Sequence, residues 1–309
     1  MTTPASSAIA AAFIRACTLD VTTLKPGNVS QHSPGHRMTA VQFIASAEAA
    51  APVLCASGSR VGRRILDAVH ATRKVADCNT NLGIILLCAP IAAAAERQVG
   101  TAQVGPAGAR RSGAQAGMTH AETVLRRRLR EVMAALTIAD ADDAFRAIAL
   151  ANPGGLGTVK EHDVHAAATV DLRAAMALAG ERDLVARQYA NDGADLFDIG
   201  LGAWRAEVDA RHHRGEDAAP LAMQRVYLEF LACFPDSHIA RKHGLEAAQA
   251  VSRQAQGWRR RRLADAEGVQ ADLAKWDAQL KAAGLNPGTS ADLAVATAFL
   301  AATLGILSS

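Results

Sequence analysis

The chain alternates between long alanine-rich apolar stretches and four short polar islands. These islands read TTLKPGNVS at 22–30, DCNTNLG at 77–83, ANPGGLGTVKEHDV at 151–164 and NPGTSADL at 286–293. Gly, Pro, Asn and Thr weaken a helix except at its ends, where they cap it or leave backbone N–H groups free. A helical chain has little structural need to concentrate them in this way. The islands are therefore predicted to form the functional site.

The composition favours an all-α fold. Half of the 309 residues are hydrophobic, but only 4% are aromatic, and strands prefer aromatic and β-branched side chains. Apolar residues recur with helical spacing in thirteen segments between residues 5 and 306, which include predicted helices at 165–179, 193–210 and 237–255. We predict a single large helical domain over 1–309, with about a dozen helices and buried central ones. The segment 98–117 is predicted to be a mobile insertion loop, with a lid over the site as the alternative.

Several classes of partner and compartment are disfavoured. The net charge of +3 gives no general argument for binding nucleic acid or an anionic membrane. Two apolar segments, 82–95 and 293–307, are shorter than the roughly 20 residues that span a bilayer. The five cysteines are scattered and never in CxxC spacing, which indicates a reducing cytoplasm. The sequence leaves the oligomeric state open, with a homodimer among the alternatives.

The first island predicts a turn after a helix. Pro and Gly at 26 and 27 force the chain to bend, which places the Lys25 ammonium and the backbone amides of Gly27 and Asn28 together. Such a bend can hold a phosphate, although an ordinary capped loop with an exposed lysine is the simpler alternative. His36 follows in SPGHRM and is a candidate catalytic residue.

The second and fourth islands each run directly into an apolar helix. Asn79, Thr80 and Asn81 can cap their helix, while free N–H groups and the helix dipole attract an anion. Gly83 would let a phosphate or ribose approach the backbone. In the fourth island Thr289 or Ser290 is the predicted cap, and Ser290 is a further candidate for binding phosphate. Capping alone, without a ligand, is the alternative for both islands.

Charged candidates come from two other places. Glu161 and Asp163 follow the glycine-rich part of the third island and can bind Mg²⁺, a hard ion that prefers carboxylate oxygens and nucleotide phosphates. The segment DSHIARKHG at 236–244 carries Arg241 and Lys242, which can clamp a polyphosphate. A solvated loop and a solvated charged turn are the respective alternatives.

Taken in order, these motifs resemble the triphosphoribosyl-dephospho-CoA synthases. The resemblance rests on LKPGNVS with the later GH, CNTNLG, the GGLG-to-EHDV region, DSHIARKHG and NPGTSADLAVATAFL, and it spans essentially the whole chain. It implies an all-helical transferase that uses ATP and dephospho-CoA. The 2′-hydroxyl of dephospho-CoA would attack the ribose C1 of ATP, adenine would leave, and Mg²⁺ would shield the triphosphate. Glu161, Asp163 and His36 are then the candidates for catalysis, and Glu161 and Asp163 also for the metal.

The chain departs from the family pattern at two islands. The family usually reads TPKPGLVD and NTHKG, whereas here Ser30 replaces the acid and Asn81 and Leu82 replace His and Lys. These variant motifs resemble those of a divergent branch of the family that is associated with archaea and one-carbon-metabolising bacteria. Two alternatives therefore remain open. One is an enzyme of one-carbon-carrier biosynthesis that acts on another phosphorylated precursor, and the other is a nucleotide-binding protein without catalysis.

Overall fold

The computed structural model is all-α, which confirms the predicted fold class. It describes residues 4–31, 33–35, 38–99, 119–152, 166–211, 217–259, 261, 263 and 267–306. Of the predicted insertion loop, residues 98 and 99 continue a helix and 100–117 lie outside the described residues.

Fourteen α-helices and one π-helical turn make up the regular structure of the described residues. The helices are α1 (Pro4–Thr22), α2 (Ala40–Leu54), α3 (Val61–Arg73), α4 (Leu82–Val99), α5 (His120–Ala134), α6 (Ile138–Ala151), α7 (Leu172–Ala177), α8 (Leu184–Ala190), α9 (Gly202–Arg211), α10 (Ala219–Cys233), α11 (Ser237–His243), α12 (Leu245–Gln256), α13 (Glu267–Ala282) and α14 (Gly288–Thr303). The π-helical turn, Leu196–Leu201, leads directly into α9.

Helix α14 lies at the centre of the packing. It contacts α1, α4, α8, α10, α11 and the π-helical turn, and nearly all of its side chains are buried. Its small residues let neighbouring backbones come close. A side chain at Gly200 of the π-helical turn would overlap Thr297 of α14. The predicted buried central helices are therefore found, with α14 and the apolar α4 packed against each other.

Three helix boundaries differ from the periodicity prediction for local reasons. The predicted helix at 237–255 is two helices, because Gly244 has φ +87 and separates α11 from α12. The predicted helix at 193–210 contains the π-helical turn. The predicted helix at 165–179 is described only as the short α7, which begins after Asp171 caps the Ala174 N–H.

Helix α1 is a core helix. By length and composition alone, Ala5–Thr22 is apolar enough to cross a membrane. Its Phe13 is fully buried and packs edge-on against Phe299 of α14, with ring centroids 5.8 Å apart. The core helix of a packed domain meets the same criteria of length and hydropathy, and the contacts of α1 favour that interpretation.

The turn of the first island is held by α10 and α13. Tyr227 donates its hydroxyl proton to the carbonyl of Pro26 at 2.5 Å, and Gln224 Nε2 donates to the carbonyl of Leu24 at 2.7 Å. From α13, Asp277 Oδ1 accepts the Gly27 N–H at 2.8 Å. The bend that the Pro and Gly residues predicted is therefore buried inside the domain.

Burial gives Lys25 a structural position in place of the predicted phosphate-binding one. Its side chain is fully buried, its Nζ lies 3.1 Å from Asp20 Oδ1, and it donates to the Asp20 carbonyl at 2.7 Å. Gly27 is equally enclosed. It has φ +84, and a Cβ there would come within 2.8 Å of Pro287 Cδ and 2.9 Å of the Leu285 carbonyl oxygen. Gly27 therefore packs the first island against the fourth.

Replacing Lys25 with Met should destabilise the protein strongly. The change leaves the Asp20 carboxylate buried without its cation, and breaking a buried pair in this way typically costs about 3–5 kcal/mol. Denaturant unfolding measures the free energy of unfolding of each variant. The matched control is Lys275→Met, since Lys275 is 74% exposed and its ion pair with Asp272 is at the surface. Equal stabilities of the two variants would contradict a structural role for the Lys25 pair.

Candidate functional site

A cavity of about 870 Å³ opens where α4, α8, α11 and α14 meet. Residues of α6 and α7 also line it. This volume lies near the upper end of the roughly 300–1,000 Å³ found for small-molecule sites. The cavity is therefore large enough for a nucleotide-sized ligand.

The polar residues before α4 line the cavity but differ in how they are used. Asn79 Oδ1 caps α4 by accepting the Leu82 N–H at 3.1 Å, and Thr80 donates to Ser46 Oγ at 2.7 Å. Asn81 Oδ1 accepts from Thr72 at 3.2 Å. The Asn81 Nδ2 is buried and has no hydrogen-bond partner among the described residues. Asn79 and Thr80 thus hold the fold, while Asn81 has a donor left for a ligand.

A hydrogen bond joins the first island to the fourth at the cavity wall. Asn28 Nδ2 donates to Asn286 Oδ1 at 2.9 Å, and both residues line the cavity. The side-chain oxygen of Asn286 accepts this bond, so its amide nitrogen is the group that can still donate to a ligand. The two islands are far apart in the sequence, and together they place two side-chain amides on the cavity wall.

The basic side of the cavity is carried by α11 and the loop before α8. Arg241 Nη1 donates to Asp183 Oδ2 at 2.5 Å, and Arg241 Nε is buried without a partner among the described residues. Asp183 also caps α8 through the N–H groups of Val185 and Ala186, so its carboxylate fixes the guanidinium. The exposed side chains of Arg182 and Lys242 add positive charge at the same wall.

Two carboxyl groups line the inner part of the cavity, those of Asp20 and Asp292. Burial raises the pKa of Asp292 well above its usual range, and the nearby Asp20 and Asp236 carboxyls add to the effect, against Arg241. Burial likewise raises the pKa of Asp20, while its partner Lys25 lowers it. These acids therefore hold protons more readily than exposed carboxyls do.

An apolar surface faces the charged groups. Phe43 of α2, Phe145 of α6 and Met176 of α7 contribute to it. Leu178, which is 63% exposed, extends this surface out towards solvent. The cavity thus combines a charged wall with an aromatic and aliphatic wall, as a site for an amphipathic ligand requires.

The structure brings seven of the predicted binding residues together on the lining: Asn28, Asn79, Thr80, Asn81, Gly83, Arg241 and Lys242. Lys25, Gly27 and Ser290 lie behind it. Ser290 donates both its N–H and its hydroxyl to Asp236 Oδ2, at 2.7 and 2.8 Å. This buried pairing gives Ser290 a structural position in place of the predicted phosphate contact. The predicted residues His36, Glu161 and Asp163 lie outside the described residues.

The lining also contains polar residues that the sequence analysis did not assign to the site, among them Asp20, Arg182, Asp183, Asn286 and Asp292. Asn286 opens the fourth island and Asp20 lies two residues before the first, so their position could have pointed to them. Asp292 in the fourth island would be explained by the dipole of α14 alone. Nothing in the local sequence singles out Arg182 or Asp183, because α7 and α8 meet the cavity only in the folded protein.

Comparison with known proteins identifies the family. The family model described as ATP:dephospho-CoA triphosphoribosyl transferase matches residues 6–307. A crystal structure of a candidate triphosphoribosyl-dephospho-CoA synthase from Archaeoglobus fulgidus superposes with a TM-score of 0.56 at 24% sequence identity. The alignment covers 85% of this chain and 99% of that one, and at this identity it shows a shared fold. A search of curated proteins gives no significant match.

The family match covers almost the whole chain and agrees with the resemblance that the islands indicated. It makes the protein a transferase. The chain belongs to the ATP:dephospho-CoA triphosphoribosyl transferase family.

Proposed function

We propose that this protein transfers the triphosphoribosyl group of ATP to the 2′-hydroxyl of dephospho-CoA and releases adenine. The observation that carries the proposal is one large cavity whose lining includes residues of all four islands and of the 236–244 segment. Family membership supplies the class of reaction. The cavity supplies a polar wall for phosphates and sugar and an apolar wall for a base.

The triphosphate is proposed to lie against Arg241 and Lys242, with Arg182 beside them. A guanidinium binds phosphate through paired N–H groups, and Arg241 is already held by Asp183 at 2.5 Å. Its unpartnered Nε is one donor left for this contact. Asn79, Thr80 and Asn81 are proposed to lie along the sugar and phosphates, with the Asn81 Nδ2 donating.

The apolar wall suits the purine and the pantetheine arm of the substrates. Phe43 and Phe145 offer aromatic surface, and Met38 and Met176 offer flexible thioethers that adapt to flat ligands. The exposed Leu178 lies at the solvent end, where a long substrate would leave the cavity. This division fits two nucleotide substrates that each carry one charged and one apolar part.

His36, Glu161 and Asp163 remain candidates for catalysis. The undescribed segments that contain them join the described chain at the cavity, because both Met38 and Asn152 belong to the lining. No cluster of three or more His, Cys, Asp or Glu side chains among the described residues could hold a metal. A Mg²⁺ ion would therefore bind mainly through substrate phosphates, with Glu161 and Asp163 as its proposed protein ligands. When bound, it would neutralise charge on the triphosphate.

A second candidate is transfer to another phosphorylated cofactor precursor, such as one for a one-carbon carrier. Asn81 and Leu82 replace the usual His and Lys of the family pattern, and both line this cavity. Leu82 therefore removes a positive charge from the site itself, not from a remote surface. A changed substrate, or binding without catalysis, would follow from such a change.

Incubation with ATP, Mg²⁺ and dephospho-CoA should release adenine and form the coupled product in equal amounts. Chromatography measures free adenine and mass spectrometry measures the product. Omitting dephospho-CoA is the control and should abolish both species. Adenine without coupled product would indicate hydrolysis, and neither species from a folded protein would refute the proposed reaction and favour the second candidate.

Replacing Arg241 with Gln should lower kcat/KM for ATP by about 10- to 100-fold. The change removes charge-assisted hydrogen bonds, each worth roughly 1.5–3 kcal/mol, while the caps that Asp183 makes on α8 remain. Steady-state kinetics with varied ATP measures the effect. The matched control is Arg253→Gln, because Arg253 is exposed on α12 away from the lining. Equal kinetics for both variants would remove Arg241 from the phosphate site.

A further inference from the structure

Asp292 differs from the other carboxyls around the inner cavity. Asp236 accepts hydrogen bonds from Ser290 and from two N–H groups of α11, Asp183 pairs with Arg241, and Asp20 with Lys25. Asp292 lines the cavity and has no hydrogen bond or ion pair among the described residues. The neighbouring acids thus serve the fold, and the carboxyl of Asp292 is left for a ligand.

The position of this carboxyl is fixed by packing. It lies against the first turn of α4 at Gly83, where a Cβ would overlap the carboxyl oxygen and come within 2.6 Å of Asp292 Cγ. Only a residue without a side chain fits there. Gly83 was predicted to admit a phosphate or ribose, but the space beside its Cα is filled by Asp292. The unpartnered Nδ2 of Asn81 belongs to the same wall.

The surroundings of Asp292 favour its protonated form, which raises its pKa. Burial has the largest effect, and the buried thiols of Cys17 on α1 and Cys88 on α4 belong to the same interior. The charged groups that act on Asp292 come from four other segments: Asp20 on α1, Asp183 before α8, Asp236 before α11 and Arg241 on α11. When it is ionised, a carboxyl with a raised pKa is a stronger base than an exposed one, which suits it to accept a proton.

We propose that Asp292 is the general base that accepts the proton of the attacking substrate hydroxyl. This assignment rests on the proposed triphosphoribosyl transfer. As the hydroxyl O–H bond breaks, its oxygen forms a bond to the ribose C1, and the C1–N bond to adenine breaks with its electron pair on the base. Adenine then takes up one proton, equal to the one that Asp292 received. No oxidant or reductant is required.

The position of Asp292 relative to the cations supports a role in proton transfer. The phosphates are attracted to the wall of Arg182, Arg241 and Lys242, and a carboxyl repels them. Asp20 is paired with Lys25 and buried, so its charge disfavours an anionic Asp292 and helps Asp292 to gain a proton.

Replacing Asp292 with Asn tests the assignment, because the amide keeps the shape but cannot accept the proton. With ATP, Mg²⁺ and dephospho-CoA, kcat should fall by about 10²- to 10⁴-fold, while the Kd for ATP, measured by calorimetry, stays unchanged. The rising limb of the kcat–pH profile should disappear. The matched control is Asp272→Asn, a change at the surface of α13 that should leave the profile intact.

The outcomes separate this assignment from the proposed function. A wild-type protein that forms no coupled product overturns both. With an active wild type, a kcat for Asp292→Asn within threefold of wild type overturns only the role of Asp292, and so does a loss confined to ATP binding.

The free energy of unfolding, measured by denaturant over a range of pH, shows whether the Asp292→Asn variant is folded. A raised folded-state pKa contributes stability that is complete below the unfolded value, about 4, and is lost as pH rises through the folded value. Wild-type stability should therefore decline above about pH 4. In the Asp292→Asn variant this decline in stability should be smaller. Part of it should remain, because the pKa values of Asp20 and Asp236 are also raised.

Replacing Gly83 with Ala gives a second test that leaves the carboxyl chemically intact. The new methyl group would push the Asp292 carboxyl out of its place, so kcat should fall while the chain still contains every acidic group. The matched control is Gly202→Ala in α9, where a Cβ meets no atom within 4 Å. Full activity of a folded Gly83→Ala variant would show that the position of Asp292 is not needed and would overturn the assignment.

Discussion

The buried Asp236 carboxylate holds the two helices on which the charged side of the cavity depends. It caps α11 through the N–H groups of His238 and Ile239, at 2.9 and 3.1 Å. The same carboxylate accepts from the N–H and hydroxyl of Ser290 at the start of α14. Because α11 carries Arg241 and α14 carries Asp292, one side chain sets the relation between the proposed phosphate-binding cation and the proposed base. Burial raises the pKa of Asp236 and these hydrogen bonds oppose the increase.

Small residues make the close packing around this junction possible. Gly83 lets the Asp292 carboxyl rest on α4, and Gly27 lets the first island rest on Leu285 and Pro287. The alanine-rich helices also allow close packing, since a helix with short side chains can approach its neighbour closely. The glycines of the islands therefore act largely inside the protein, by packing one island against another element.

The sequence predicted the helical class and the site region because both follow from local chemistry. Alanine and leucine at helical spacing leave few other choices, and the concentration of Asn, Thr, Pro and Gly marked segments that converge on the cavity. The break at Gly244 depends on φ +87, which the periodic pattern does not reveal. Nor does the pattern reveal the close contact in the π-helical turn, where a Cβ at Gly200 would overlap Thr297.

The role of each island residue could not be read in the same way, because it depends on tertiary burial. Lys25 has the residue type expected of a phosphate ligand. In the folded protein, however, α10 and α13 enclose its turn, and its ammonium pairs with Asp20 of α1. Ser290 was predicted from its place at a helix start, yet its partner Asp236 is 54 positions away. Asp292 stands in the first turn of α14, where the helix dipole alone would explain an acid, and only the folded cavity shows that it lacks a partner among the described residues.

The distribution of charge in the cavity constrains how a triphosphate can lie. The basic side chains of the described lining come from two neighbouring places, Arg182 before α8 and His238, Arg241 and Lys242 on α11. Leu82 at the start of α4 contributes no charge where the family pattern has lysine. In the proposed reaction the phosphates would therefore be drawn towards the α11 side. The Asp292 carboxyl and the Asn81 Nδ2, which has no partner among the described residues, would then be left for the ribose of the proposed substrate.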